Sequence, residues 1–194
     1  MVVDWGKPWA LSGQLTNVDG DPVPDAQVDL QASIDGGATW ATLEGVTPAA
    51  GTSTYSASIE APYQKMQYRL SFSGDATHSA AASTAVTVTP RVKLGTPAAP
   101  SSVKKGAKFT AYGSLVPQQP KNSRTVQIKC FLKSNGKWVL KKTATATNAA
   151  KGSATRYAAK FSLPAKGSWK LTASFAATSK YAATASGDKM LKVK

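Results

Sequence analysis

The sequence contains very few of the residues on which disulfide frameworks and metal centres are built. Among its 194 residues there is one Cys and one His. A single Cys excludes an intrachain disulfide, and a single His excludes a His-rich metal site. No stretch approaches the ~20 consecutive apolar residues of a membrane-spanning helix. Since 42% of the chain is hydrophobic, we expect a globular protein with no cofactor, no metal and no transmembrane segment.

Acidic residues are nearly absent from the second half of the chain. Residues 1–90 hold nine acids and three bases, a net charge of −6. Residues 91–194 hold 21 bases and one acid, Asp188, a net charge of +20. The overall charge of +14 therefore belongs to one half, and it needs an explanation that applies to that half alone.

The two halves repeat one pattern. The segment Trp9–Leu15 has a counterpart in Phe109–Leu115, and Val28–Ile34 has one in Val126–Leu132. Further matched positions are Trp40 with Trp138, Tyr55 with Tyr157, Ile59 with Phe161, Pro62 with Pro164, Phe72 with Phe175 and Ser83 with Ser186. The offset between copies drifts only from 98 to 103 residues, as short loop insertions would produce. The repeat predicts two tandem domains.

Within each half, apolar residues alternate with polar ones. Val28, Leu30 and Ala32 alternate in the first half, as Trp169 and Leu171 do in the second. Alternation places the apolar side chains on one face of a strand, which indicates half-buried antiparallel sheets. Clusters of Gly, Asp and Asn separate these runs at regular spacing. We predict an all-β fold of two β-sandwiches, at residues 1–90 and 91–194.

Several segments of the first half carry a family resemblance. They are Gly13-x-Leu15, then Asp21-Pro22-Val23-Pro24-x-Ala26-x-Val28-x-Leu30, then Asp35-Gly36-Gly37-x-x-Trp40, and finally Tyr68-Arg69-Leu70-x-Phe72-x-Gly74-Asp75. This pattern resembles the immunoglobulin-like repeats of Gram-positive surface and secreted proteins. The second half keeps Gly113, Val126, Trp138, Tyr157 and Phe175. The resemblance implies tandem immunoglobulin-like sandwiches, an extracellular or cell-surface location, and no common catalytic site.

The start of the chain does not look like a targeting signal. Met1-Val2-Val3-Asp4 lacks a basic and apolar leader. We therefore expect the chain to be a fragment of a longer exported protein.

Two residues that could supply a nucleophile or a general base have simpler interpretations. Histidine is a common general base at neutral pH, which makes His78 a candidate, but the chain has no G-x-S-x-G elbow for a serine nucleophile. Tyr181 stands at the matching position of the second half, so we interpret both as turn residues. Cys130 aligns with Ala32 in an alternating run, which predicts a buried and unreactive thiol. We predict no enzyme in this chain.

Three carboxylates crowd one loop of the first half. Asp19, Asp21 and Asp25 could hold Ca²⁺ through oxygen ligands. The spacing of an EF-hand loop is absent, and Asp also favours turns through local hydrogen bonds. We interpret the three residues as turn formers, with a calcium site as the alternative.

Aromatic residues could form a carbohydrate platform, since Trp and Tyr faces stack on sugar rings. The pairs Trp40/Trp138 and Tyr55/Tyr157 recur at matched positions, which predicts packing inside each sandwich. Trp5 and Tyr63 have no counterpart in the second half and are the better platform candidates.

The bases of the second half are the strongest functional signal. Alternation places Lys129 and Lys133 opposite the apolar face of their strand, so we expect them to point to solvent. The candidate polyanion-binding residues are Lys129, Lys133, Lys137, Lys141 and Lys142, within a wider basic set of Lys104, Lys105, Lys108, Lys121, Arg124, Lys160, Lys166 and Lys170. These bases could bind anionic cell-wall polymer, membrane head groups or a sulfated glycan. They could equally serve only to keep the protein soluble.

The sequence favours a binding or structural role over catalysis. We expect a non-catalytic, monomeric segment of a bacterial surface or secreted protein that acts as spacer or stalk and as adhesion module. The alternative is a carbohydrate- or cell-wall-polymer-binding module appended to an enzyme in a longer parent chain. We expect no nucleic-acid partner, because no recognition helix or stacking motif accompanies the charge.

Overall fold

The computed structural model describes residues 1–123 and 125–194, which form β-strands and contain no helix. Two compact units emerge, Met1–Pro90 and Arg91–Lys194, called unit 1 and unit 2 below. The predicted all-β fold is confirmed. Arg124, one member of the predicted basic set, lies outside the described residues.

Unit 1 folds into two sheets. Its strands are β1 (Val2–Asp4), β2 (Trp9–Gln14), β3 (Val28–Ser33), β4 (Ala41–Val46), β5 (Thr54–Ile59), β6 (Met66–Phe72), β7 (Ala81–Ala82) and β8 (Val86–Arg91). One sheet has the order β1-β8-β6-β3-β4, with β7 beside β6, and the other pairs β2 with β5.

Unit 2 has the same two layers with longer strands. They are β9 (Lys93–Leu94), β10 (Ser102–Val103), β11 (Phe109–Val116), β12 (Val126–Ser134), β13 (Lys137–Thr145), β14 (Thr147–Lys151), β15 (Ala154–Phe161), β16 (Gly167–Phe175) and β17 (Thr184–Val193). One sheet has the order β10-β17-β16-β12-β13, and the other has the order β14-β15-β11-β9.

The strand order of unit 2 is that of an immunoglobulin-like sandwich. Its first strand region contributes to both sheets, as β9 in one and as β10 in the other. Strand β10 pairs in parallel with the last strand β17, whereas the other ladders of unit 2 are antiparallel. The same sheet places β12 beside β16 and β16 beside β17. Both the shared first strand region and this order match the immunoglobulin topology. The predicted fold class of two tandem immunoglobulin-like sandwiches is confirmed.

The sequence repeat is also a repeat of strand pairing. Leu30 lies opposite Leu70 in unit 1, and Ile128 lies opposite Ala173 in unit 2. The second pair is the one that the sequence repeat predicts, since Ile128 matches Leu30 at an offset of 98 residues and Ala173 matches Leu70 at an offset of 103. A one-residue slip would have turned each strand's apolar side chains to solvent, so the buried faces hold both units in the same register.

Each unit has its own hydrophobic core between its two sheets. The core of unit 1 includes Val3, Trp9, Leu11, Val28, Leu30, Ala32, Tyr55, Ile59, Tyr68, Leu70, Phe72 and Val88. The core of unit 2 includes Phe109, Leu115, Val126, Ile128, Cys130, Tyr157, Phe161, Trp169, Leu171, Phe175 and Leu191. Burying one large apolar side chain contributes about 1.5–3 kcal/mol, so these cores are the main source of stability in both units.

The prediction that Trp40 and Trp138 pack inside the sandwiches is wrong. Both are half-buried and lie outside the two cores. Trp138 lies opposite Lys133, on the face that alternation turns to solvent. The indole of unit 2 that fills the core is Trp169, which is fully buried and donates through Nε1 to the carbonyl oxygen of Ala165 at 2.9 Å. The predicted packing of Tyr55 and Tyr157 is confirmed.

Candidate functional site

The candidate site is built on the solvent side of the five-stranded sheet of unit 2. Along β12, Ile128 and Cys130 point into the core. Successive side chains of a strand point to opposite faces, so Lys129, Phe131 and Lys133 point outward. Their half-buried or exposed state agrees with this placement.

Strand register brings neighbouring strands into the same surface, because residues directly opposite one another share a face. Phe131 lies opposite Leu140 of β13 and Lys170 of β16. Lys170 in turn lies opposite Met190 of β17. We call this surface the lysine–aromatic face, and it comprises Lys129, Phe131, Lys133, Trp138, Leu140, Lys170 and Met190.

Two ammonium groups of the lysine–aromatic face lie above its aromatic rings. The Lys170 Nζ is 5.1 Å from the ring centre of Phe131 and 5.6 Å from that of Trp138. The Lys133 Nζ is 5.9 Å from the ring centre of Trp138. Such cation–π contacts contribute about 0.5–1 kcal/mol at exposed sites. They hold positive charge over an apolar floor in which Leu140 and Met190 are 48% and 52% exposed.

Asp188, the one acid in the sequence of unit 2, lies at the edge of the lysine–aromatic face. Its Oδ2 is 3.1 Å from the Lys170 Nζ, and its Oδ1 accepts a hydrogen bond from the Thr172 hydroxyl. The Thr172 hydroxyl, followed by Lys170, holds the pKa of Asp188 below its ordinary value. The carboxylate therefore fixes the position of Lys170 and offsets part of its charge.

The five candidate lysines do not all share one face. Lys129 and Lys133 belong to the lysine–aromatic face. A bulge in the β12–β13 pairing leaves Lys141 as an extra, exposed residue. Lys142 lies opposite the inward-pointing Cys130, so it is on the other side of the sheet from Lys129.

Lys137 lies at the start of β13, opposite Ser134 and next to the hairpin turn. Alternation from Lys133 places Ser134, and therefore Lys137, on the core side of the sheet at its exposed end. The structure thus brings two of the five candidates together and distributes the other three around the edge strand.

Lys170 belonged only to the wider basic set, and Phe131, Trp138 and Met190 were not proposed as binding residues, although all four complete the lysine–aromatic face. Lys170 stands between the buried Trp169 and Leu171, so alternation alone could have placed it outward. Its position beside Phe131 depends on the pairing of β12 with β16, which the sequence does not state.

His78 closes a turn that occurs in both units. In unit 1, the Asp75 carboxylate accepts hydrogen bonds from the backbone N–H groups of Thr77 and His78. These N–H groups, the Thr77 hydroxyl and the His78 ring hold the pKa of Asp75 well below its ordinary value, with the Thr77 N–H the largest cause. In unit 2, the Thr178 hydroxyl accepts a hydrogen bond from the backbone N–H of Tyr181 instead. The same backbone hydrogen bond spans both turns, at 2.9 Å in each.

The Asp19–Asp25 loop is organised by an amide side chain. The Asn17 Oδ1 accepts hydrogen bonds from the backbone N–H groups of Asp19 and Asp21, at 3.0 and 2.8 Å. Asp25 has a left-handed backbone conformation, with φ of 57°. Among residues 1–123 and 125–194, no three His, Cys, Asp or Glu side chains are grouped closely enough to hold one metal ion.

Cys130 is fully buried, as predicted. Burial raises the pKa of its thiol to about 12, and the nearby Lys142 lowers it only in part. The thiolate, which is the nucleophilic form, is therefore not populated at neutral pH.

The two platform candidates of unit 1 line one groove. Tyr63 is 58% exposed and shares the groove with the half-buried Trp5 and with two carboxylates, Glu44 and Glu60. The sequence singled out both aromatic residues but could not place them together, since they come from different loops.

Comparison with known proteins identifies no matching family model, and no curated protein matches the chain. A marsupial T cell receptor is 11% identical over 100% of this chain and 70% of that one, with a TM-score of 0.38. The FN1–FN3 domains of chicken CNTN1 are 12% identical over 98% of this chain and 65% of that one, with a TM-score of 0.35. Because both scores are low, the immunoglobulin-like assignment rests on strand order. The described part of the chain contains no apolar helix of membrane-spanning length.

Proposed function

We propose that this chain is a non-catalytic, tandem immunoglobulin-like segment of an exported bacterial surface protein. It acts as a spacer that also attaches its parent protein to an anionic polymer through unit 2. The observation that supports this function is the lysine–aromatic face, where Lys133 and Lys170 lie over Trp138 and Phe131. The ammonium groups offer partners for phosphate or sulfate, and the rings beneath them hold the positive charge in place.

The distribution of charge supports attachment by unit 2 alone. Residues 91–194 carry +20 and residues 1–90 carry −6, so a polyanion is attracted to one unit and repelled by the other. Lysines that served solubility alone would be useful on both units. The monomeric state and the extracellular location are parts of the same proposal.

The test compares two triple variants of the full chain that remove the same charge. Lys129→Gln, Lys133→Gln and Lys170→Gln neutralise the lysine–aromatic face, and Gln at 170 keeps a donor for Asp188. The control is Lys104→Gln, Lys105→Gln and Lys108→Gln, at exposed positions outside the face. Retention on immobilised heparin and on intact Gram-positive cell wall is measured from about 0.1 to about 1 M NaCl, over which the Debye length falls from ~10 to ~3 Å.

We expect the face variant to elute at clearly lower salt than both the control and the unaltered chain, on heparin and on wall. Equal losses in the two variants would show that only total charge matters. No retention on the wall would leave the lysines with a solubilising role and the chain with its spacer function alone.

A second candidate function is a carbohydrate-binding module attached to an enzyme in a longer parent chain. The groove that holds Trp5 and Tyr63 favours it, because this groove lies in the acidic unit and cannot serve a polyanion.

A further inference from the structure

Unit 1 has a groove of ≈ 530 Å³ whose chemistry differs from that of the lysine–aromatic face. It lies between β4 and the end of β5, where the edges of the two sheets meet. We call it the Trp5–Tyr63 groove, and the residues that carry the argument are Trp5, Leu43, Glu44, Glu60, Tyr63 and Met66. We propose that this groove binds an uncharged oligosaccharide.

The apolar part of the groove is open to solvent. Tyr63 is 58% exposed and Leu43 is 52% exposed, while Trp5 and Met66 are half-buried. Large apolar side chains exposed side by side mark binding surfaces more often than single exposed ones do. A pyranose with equatorial hydroxyl groups presents flat C–H faces, and Trp and Tyr rings provide a matching apolar surface with a polar tip.

The polar part of the groove selects against an anionic ligand. Glu44 and Glu60 are exposed, and neither side chain forms a hydrogen bond or an ion pair with another described residue. Ionised carboxylates only accept hydrogen bonds, whereas sugar hydroxyl groups donate them. A neutral saccharide therefore satisfies both the rings and the carboxylates, and a polymer of phosphate or sulfate groups is repelled.

The fold does not impose this chemistry, because unit 2 lacks it at the matching positions. Glu44 lies opposite Leu30, whereas Ile128, which matches Leu30, lies opposite Ala144, so an alanine stands where unit 1 has this carboxylate. Tyr63 corresponds to an alanine, at an offset of 102 residues. That alanine packs against the core of unit 2. The aromatic and acidic lining thus belongs to unit 1 specifically.

The proposal commits to β-1,4-linked neutral hexopyranose chains as probes. Cellohexaose and the hexamer of N-acetylglucosamine are titrated into the full chain by calorimetry and by tryptophan fluorescence, at low salt and at about 1 M NaCl. We expect at least one hexasaccharide to bind with an affinity that salt does not change. Tyr63→Ala should lower that affinity about 10-fold, whereas Tyr63→Phe, which keeps the ring, should retain it.

The matched control is Tyr112→Ala, which removes a 40% exposed tyrosine of unit 2 and should leave binding unchanged. Glu60→Gln tests the carboxylate, and we expect it to weaken binding less than Tyr63→Ala does. An unchanged urea midpoint in each variant confirms that the fold is intact.

Two results would overturn the proposal: no binding of either hexasaccharide, or equal binding by Tyr63→Ala and the unaltered chain. The function proposed for unit 2 is tested separately. The Lys129, Lys133 and Lys170 substitutions should change salt-dependent retention on heparin and should not change the affinity for the neutral sugar.

Discussion

At the residue scale, each unit buries a tyrosine across from a glycine. Gly13 lies opposite Tyr55, and Gly113 lies opposite Tyr157. The Tyr157 hydroxyl donates to the carbonyl oxygen of Gly95 at 2.6 Å, and burial raises the pKa of this phenol far above its ordinary value. The glycine leaves room for a ring that crosses the strand, which is why a β-sheet interior keeps a residue of low strand propensity there.

The two glycines should differ in their tolerance of alanine. A Cβ at Gly113 would lie 2.2 Å from the Tyr157 hydroxyl oxygen, whereas a Cβ at Gly13 would lie 3.0 Å from the flexible end of Leu70. We expect Gly113→Ala to lower the free energy of unfolding by about 1–3 kcal/mol through overpacking, and Gly13→Ala to lower it by less. Urea unfolding followed by fluorescence measures both, and equal costs would contradict the crowding argument.

At the scale of elements, the β12–β13 hairpin sets the geometry of the lysine–aromatic face. Its two-residue turn consists of Asn135 and Gly136, with φ of 49° and 78°. Two successive positive φ values are typical of the type I′ turn, whose twist matches that of paired strands. The turn places Lys133 directly opposite Trp138, so the cation–π contact depends on it.

A substitution in this turn should affect stability and binding together. We expect Gly136→Ala to lower the free energy of unfolding by about 1 kcal/mol, because a Cβ disfavours the left-handed conformation. It should also lower retention on heparin, because a distorted turn moves Trp138 away from Lys133. The control is Gly106→Ala, another left-handed glycine with open space around it. It should show a similar loss of stability but no change in retention. Equal losses of retention in the two variants would show that heparin binding does not depend on the β12–β13 turn.

At the scale of the whole molecule, two separate cores support two units of opposite net charge. The core of unit 1 contains Leu30, and the core of unit 2 contains Ile128, at matched strand positions. Each side chain is at most 2% exposed. We therefore expect the stability of each unit to depend on its own core.

Calorimetric unfolding should show this division. We expect Leu30→Ala and Ile128→Ala each to lower the free energy of unfolding of the unit that contains it by about 2–5 kcal/mol. Each substitution should therefore lower the midpoint temperature of a different transition in the melting profile. A profile in which either substitution shifts every transition equally would contradict independent cores.

The sequence by itself determined the fold class, the internal repeat and the outward direction of Lys129 and Lys133. These features follow from alternation and from matched positions, which are local patterns that a strand must obey. The sequence also indicated that Cys130 is buried, because it stands in an apolar run.

Only the tertiary structure decided which side chains meet. Register across β12, β13 and β16 places Lys170 over Phe131 and Trp138, and the same register turns Trp138 outward against expectation. Trp5 and Tyr63 are 58 residues apart in the sequence and meet in one groove. Such contacts depend on which distant strands pair and in which register. Register is set by the burial of whole strand faces, and a local sequence pattern does not specify it.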